Sequence, residues 1–399
     1  MDADLLIVGA GAAGIFAAAQ LRALRPAARI VVLEAAPRPL QKVKISGGGR
    51  CNLTHACFEV ARLLEHYPRG HRQLRGLLGR FGPADTMEWF RTRGVDLKVE
   101  ADGRVFPCSD DSQTIIDGLL GQLGDSEIRC RTRVTGLQPG FAVATTEKLW
   151  RAPRVLLASG GNPLVFPWLE ALGHRPVAAV PSLFTFEIAE TAFRQLAGVS
   201  LADCRARLPL LPGREQRGPL LFTHWGLSGP VILRLSAWGA RELAECGYRT
   251  EVRLDLLPDL TQEQIAELLL DYKARHPRKQ WRGECPLPLP RRLFQTLIDE
   301  VGASLWQEVS KKSLLRLAER CKRLSLQMVA KGVFKEEFVT AGGVPLDEVD
   351  LKTLESRCCP GLYLAGEVLN VDGLTGGFNF QNAWSGGWAV AQAVAARMG

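Results

Sequence analysis

Residues 4–8, Asp-Leu-Leu-Ile-Val, carry an apolar run with no polar alternation, the pattern of a parallel strand buried on both faces. An alanine-rich stretch then predicts a helix to about Leu24, ended by Pro26. Ile30 to Glu34 is a second short apolar run, so the chain opens as a βαβ unit. Two later runs, Arg154–Ala158 and Gly361–Ala365, stop at Ser159-Gly160-Gly161 and Gly366-Glu367. Strands end this way where their carboxyl ends face a ligand crevice. These runs lie far apart, which predicts a doubly wound domain split by an insertion from near Pro181 to near Lys335. The first half of the insertion alternates like strands, as in Phe184–Ile188 and Glu251–Asp255. From Thr261 onward the period is helical, interrupted by a loop from Pro286 to Pro290. The expected domains are 1–180 and 336–399 for the split part, 181–258 for a β-rich insert and 259–335 for a helical one.

Composition narrows the class. The chain has 399 residues, 46% hydrophobic and 23% charged, which excludes a disordered, collagen-like or small disulfide-stapled protein. Ten cysteines include no C-x-x-C pair; the closest are Cys358–Cys359 and Cys51–Cys57. No cysteine pair has zinc-ligand spacing, so no metal is expected, and reduced thiols point to the cytoplasm. Leu5 to Leu21 follows Met1-Asp2-Ala3-Asp4, which carries acid where a signal peptide needs base, and no other run is apolar enough to span a membrane. The net charge is +8. Residues 271–335 hold 15 Lys+Arg and 6 Asp+Glu, so the whole excess lies in the helical half of the insertion. Such a segment is a solvated helical face or a phosphate-contacting surface.

Gly9-Ala10-Gly11-Ala12-Ala13-Gly14 follows a strand, opens a helix, and precedes Glu34 at the end of the second strand by twenty residues. That context reads as a dinucleotide site. Gly9 permits the turn, Gly11 admits a pyrophosphate to the backbone, and Gly14 lets helix and strand pack closely. Glu34 would accept hydrogen bonds from the adenosine ribose. No second fingerprint is present: Gly47-Gly48-Gly49 and Gly376-Gly377 lack the strand, helix and acid at the right offsets. One dinucleotide is therefore expected to be bound by this fold.

Several blocks resemble the BaiN-like (YhiN-type) flavoprotein family. They are Lys42-Val-Lys-Ile-Ser46-Gly-Gly-Gly49-Arg50-Cys51-Asn52, Gly103–Pro107, Phe222–Pro230, Thr340–Val344, Ala365-Gly366-Glu367 and Gly376–Ala383. The blocks run in order along nearly the whole chain. The resemblance implies an α/β protein: a split Rossmann-like FAD-binding domain with an inserted β-barrel-like plus helical region. It also implies FAD as cofactor. Ser46, Gly49, Arg50, Cys51 and Asn52 would line the flavin diphosphate and ribityl chain. Gly366 and Glu367 would meet its ribityl or pyrophosphate end. Gly377, Phe378 and Asn379 would open a helix whose positive end faces the flavin N1–C2=O edge. Ala13, Lys42, Val134, Ser159 and Gly160 complete the candidate cofactor-binding set.

Three residues are candidates for catalysis. Cys51 is either a general acid beside the flavin or a small residue filling a tight loop. His224 either caps the flavin ring or is a structural imidazole. Arg104 holds an anionic or carbonyl group, or a surface carboxylate. The expected activity is FAD-dependent oxidoreduction, with NADH or NADPH as a transient reductant and a conjugated C=C bond as acceptor. Family members are linked to dihydrouridine formation in ribosomal RNA, to reduction of steroid enones, and to oxidation of a small amino ketone with release of peroxide. The basic segment 271–335 favours ribosomal RNA as partner; a small-molecule enone reductase or amine oxidase is one alternative, and a flavin-containing RNA-binding factor without turnover is another. No membrane partner is expected.

Overall fold

The computed structural model describes residues 1–299, 301–332 and 339–398. The chain divides into two compact units, Met1–Val180 with Val339–Gly399, and Pro181–Phe338. The expected boundary at residues 335 and 336 lies outside the described residues.

The first unit is built on five parallel strands: β1 (Leu5–Val8), β2 (Ile30–Leu33), β3 (Glu127–Arg129), β4 (Val155–Leu157) and β5 (Leu362–Leu364), in the order β5-β4-β1-β2-β3. In register, Val8 lies between Leu33 and Leu157, and Leu157 pairs onward with Leu364. Every residue of β1, β2, β4 and β5 is buried, which is why these strands read as unbroken apolar runs. The chain winds outward from β1 through β2 to β3 and, on the other side, through β4 to β5. The topological switch point therefore falls between β1 and β4, and a crevice opens at the carboxyl ends of the strands there.

Helix α1 (Ala12–Leu24) follows β1, and α2 (Phe378–Ala396) lies against it. Their approach is close because α2 presents Gly387. A methyl there would stand 2.7 Å from Ala13 O and 3.0 Å from Ala17 N. Phe16 of α1 then packs its ring 4.7 Å from Trp89, 5.4 Å from Trp384 and 5.5 Å from Phe81, sealing this side of the sheet with aromatic area.

The second unit contains a closed antiparallel barrel of six strands. In barrel order these are Phe186–Ile188, Gly226–Ser228, Gln216–Phe222, Ser200–Arg207, Thr250–Asp255 and Leu324–Lys331, which returns to the first. The last strand corrects the helical reading of the segment up to Lys335. Leu324, Leu326 and Met328 alternate with exposed Ser325 and Gln327, a period of two that the preceding helical run hides. Helices Gln262–Arg275, Arg291–Ile298 and Lys311–Lys322 lie between the fifth and sixth strands in sequence. The first is started by a capping box, Thr261 Oγ1 accepting from Gln264 N–H while the Gln264 side chain accepts from Thr261 N–H. One continuous core runs from Phe186, Phe222 and Leu254 in the barrel to Leu269, Trp281, Phe294 and Trp306 among the helices. The helical part is thus packed on the barrel, not a separate body. Among the described residues no helix is long and apolar enough to cross a membrane.

Candidate functional site

The glycine loop after β1 is tied down before any ligand is considered. Gly9 N–H donates to Leu33 O, and Leu40 N–H donates to Ala10 O, both at 2.8 Å. The Glu34 carboxylate accepts from Ala10 N–H at 2.8 Å and from Ala36 N–H at 2.7 Å. Glu34 therefore both fixes the loop and keeps lone pairs free for a ribose. The strand Val134–Gln138 begins two residues after Thr132, whose N–H donates to Glu34 O at 2.8 Å, so it is anchored to the same corner. Gly14 is a packing glycine, since a methyl there would fall 2.1 Å from Gly9 O. Gly11, the N-cap of α1, differs: a methyl there would meet no protein atom within 4 Å. The first turn of α1 carries unsatisfied N–H groups and the positive end of the helix dipole. Open space, amide donors and positive potential coincide at Gly11, which suits a pyrophosphate.

A second cluster stands across the switch point. Lys42 Nζ bonds Glu367 Oε2 at 2.8 Å, and a methyl on Gly160 would lie 3.9 Å from each of these atoms. A methyl on Gly366 would lie 3.3 Å from Ala13 Cβ. Ser159 Oγ is buried and has no hydrogen-bond partner among the described residues. An orphaned hydroxyl of this kind is costly unless something polar meets it. Ala13, Lys42, Ser159, Gly160, Gly366 and Glu367, which come from four separate chain segments, are thereby brought to one crevice. These residues and the loop above fit the diphosphate half of FAD.

The Ser46–Asn52 loop is shaped by Gly47, Gly48 and Gly49, all with φ between +58° and +84°. Ser46 Oγ donates to Val43 O at 2.9 Å, and Cys51 N–H to Ser46 O at 3.0 Å. With its amide oxygen turned toward Gly377, Asn52 accepts from Gly377 N–H and donates to Thr54 O, both at 3.0 Å. This joins the loop to the start of α2. Gly377 caps α2 at φ +91°, so close to Thr54 that a methyl would be 2.6 Å from its carbonyl carbon. Asn379 braces the same turn by bonding both the N–H and the C=O of Gly373 at 2.8 Å. Its side chain is therefore engaged within the protein. Phe378 is buried, its ring stacked 4.2 Å from His66 and 4.9 Å from His55.

The structure bears on four further candidates. The Arg50 guanidinium is engaged by acidic side chains of the protein. It bonds Glu100 at 2.7 Å and Asp110 at 3.4 Å and lies 4.0 Å over the Phe106 ring, and the Glu100 hydrogen bond raises its pKa further. Arg104 pairs with Asp102 at 2.7 Å and Glu100 at 3.0 Å, the surface-carboxylate reading. Cys51 is fully buried, and burial pushes its thiol up to about 12. A proton donor must touch its substrate, and this sulfur is sealed in protein, which favours the loop-filling reading of Cys51. Cys51→Ala should then leave substrate reduction unchanged and lower stability by about 1 kcal/mol, as for a small core truncation; a large loss of turnover at full FAD content would restore the acid role. His224 sits exposed in the turn before Gly226–Ser228 of the barrel, 6.5 Å from the Trp225 ring, and its imidazole makes no hydrogen bond among the described residues.

Sequence reasoning missed His55. Its Nε2 meets Asp102 O at 3.0 Å, its Nδ1 is buried without a partner, and burial lowers its pKa. A lone histidine gives no spacing signal. It also missed the buried Gln381, whose amide oxygen accepts from Thr54 at 2.6 Å and Thr86 at 3.0 Å beneath the α2 start.

Residues 3–393 match the HI0933-like protein Rossmann domain. The chain belongs to that family. It is 28% identical over 405 residues to the ribosomal RNA dihydrouridine synthase of Escherichia coli, covering 98% of this chain and 97% of that protein. It is also 28% identical over 419 residues to the 3-dehydro-bile acid delta(4,6)-reductase of Clostridium scindens, covering 98% of both. Among solved structures, the 3-ketosteroid delta1-dehydrogenase of Sterolibacterium denitrificans matches with a TM-score of 0.52, 14% identity and 99% of each chain covered, which establishes a shared fold. Within the HI0933-like family the protein is an FAD-dependent oxidoreductase with a Rossmann-type domain and an inserted barrel.

Proposed function

We propose that this family member reduces a conjugated C=C bond at the expense of NADH or NADPH, and that its substrate is uridine in ribosomal RNA. The observation that carries the cofactor half is the set of features at the carboxyl ends of β1 and β4: the open face of Gly11, the orphaned Ser159 hydroxyl, and the Lys42–Glu367 pair beside Gly160. FAD, when bound, supplies two-electron hydride chemistry. The chain's own part is to bind and orient it. The α1 N-terminus neutralises the pyrophosphate, Glu34 takes the ribose, and Gly377 at the start of α2 presents a positive helix end to the flavin. With no second dinucleotide fingerprint, the nicotinamide binds transiently.

Two relatives support the acceptor class, since both of their names describe reduction of an alkene conjugated to a carbonyl. RNA is favoured over a steroid by the helical half of the insertion. There Arg278, Arg291, Lys311, Lys312 and Arg316 are exposed and make no ion pair among the described residues. Five free cations on one segment supply the sequence-independent affinity that a phosphate backbone rewards. A ribosomal substrate implies a cytoplasmic enzyme. The second reading, a small enone as substrate, rests on the bile acid reductase relative.

The deciding experiment is mass spectrometry of ribosomal RNA from cells with and without the gene. One dihydrouridine should be lost in the deletion and restored by the purified protein with NAD(P)H. Unchanged dihydrouridine, with flavin still bleached by NAD(P)H and reoxidised by a steroid enone, would sink the RNA reading and leave the small-molecule one.

A further inference from the structure

Beside the amino-terminal end of β5, away from the crevice at the strands' carboxyl ends, three side chains from distant segments converge. His174 follows the helix Phe166–Ala171, Glu348 ends the turn Leu346–Glu348, and Cys358 precedes β5. One ligand atom from each lies within 4.8 Å of the other two. We propose that His174, Glu348 and Cys358 form a binding site for a thiophilic divalent cation, zinc, that is separate from the cofactor crevice.

The donor set suits the ion. Imidazole nitrogen, carboxylate oxygen and thiolate sulfur are the three zinc ligand types, with bonds of about 2.0–2.3 Å. At tetrahedral angles those bonds hold ligand atoms roughly 3.3–3.8 Å apart. His174 Nδ1 and Glu348 Oε2 are now 2.8 Å apart, as a hydrogen bond, so a small opening of that pair admits the ion. Charge closes as well: one thiolate and one carboxylate balance a dication, and the neutral imidazole adds none. Binding displaces the Cys358 thiol proton, and the His174 ring proton moves from Nδ1 to Nε2, where Ser356 Oγ accepts it.

The surroundings are those of a supported site. His174 is buried, and its other nitrogen, Nε2, meets Ser356 Oγ at 2.8 Å. Ligating histidines are characteristically held by such a bond on the ring nitrogen away from the metal. Ser356 Oγ in turn accepts from Cys358 N–H at 3.1 Å and Cys359 N–H at 2.8 Å, which fixes the turn carrying the thiol. Glu348 accepts from Arg175 N–H at 3.1 Å. The Arg175 guanidinium, 3.7 Å from Glu348 and 90% exposed, is free to swing clear. Cys358 is exposed, which gives an entry path from solvent and leaves a water to complete four-coordination.

The test uses full-length, FAD-loaded, reduced protein dialysed against a chelator. Zinc alone is titrated in, with metal content measured after gel filtration. Cobalt(II) is titrated separately and followed by absorption in the red, beyond the flavin bands. One zinc per chain and a tetrahedral cobalt spectrum are expected. Cys358→Ser, at an exposed position, should lose both at unchanged flavin content, and Ser356→Ala should weaken zinc about 10- to 100-fold. Cys359→Ser, outside the three-residue cluster, should bind zinc as the wild type does. Substoichiometric zinc in the wild type, or full binding by Cys358→Ser, would overturn the site and leave His174–Glu348 as a hydrogen-bonded latch.

Discussion

Gly11→Ala should fold normally and fail to retain FAD. The backbone at Gly11, φ −82° and ψ −169°, is open to any residue, and the added methyl meets no protein atom within 4 Å. Alanine is a poorer N-cap than glycine by a fraction of a kcal/mol, and it narrows the unfolded ensemble by about as much, so apoprotein stability should barely move. In the loaded protein the same methyl occupies the space through which a pyrophosphate reaches the α1 amides. A loss of about a hundredfold in FAD affinity, about 2.8 kcal/mol at 1.4 per decade, is the expected result. Gly14→Ala is the contrasting variant. Its methyl would fall 2.1 Å from Gly9 O, so it should damage the fold itself. Dialysis followed by flavin absorbance, with thermal melts of both apoproteins, separates the two. Wild-type flavin content in Gly11→Ala would remove the pyrophosphate from this loop.

What the sequence makes legible depends on how local the cause is. The β1–α1–β2 start is set by a buried run, a glycine turn and an alanine-rich helix within thirty residues, and it appears in the structure with its boundaries nearly unmoved. The split of the doubly wound sheet was readable because β4 and β5 each end at glycine. The strand Leu324–Lys331 was not, because eight alternating residues directly follow the helix Lys311–Lys322 with no glycine or proline between them. Side-chain roles are less local still. Arg50 sits in the middle of the strongest sequence block, yet Glu100 and Asp110, fifty and sixty residues on, decide where its charge goes. The His174–Glu348–Cys358 cluster escaped for the same reason. Ligand spacing along the chain signals a zinc site only when pairs of ligands share one turn, and here each comes from its own segment.

Arg69→Met tests the most buried charge near the crevice. Asp372 is fully buried, and both of its carboxylate oxygens are met by the Nε and Nη2 of Arg69, a bidentate pair. Removing the guanidinium leaves a charged carboxylate with no water to replace it, a loss of about 3–5 kcal/mol. Chemical denaturation of the apoprotein measures it. Arg69→Lys, which keeps the charge and loses the fork, should fall between. Replacing both partners, Arg69→Met with Asp372→Leu, should recover much of the loss, because an apolar pair of similar volume has no desolvation debt. Flavin retention follows separately. Asp372 is joined to Gly373, whose backbone Asn379 holds on both sides, and that turn delivers Gly377 to the start of α2. Where the double variant regains stability yet loses FAD, the pair serves to aim the α2 terminus; where stability and FAD return together, it serves only to hold the loop in the fold.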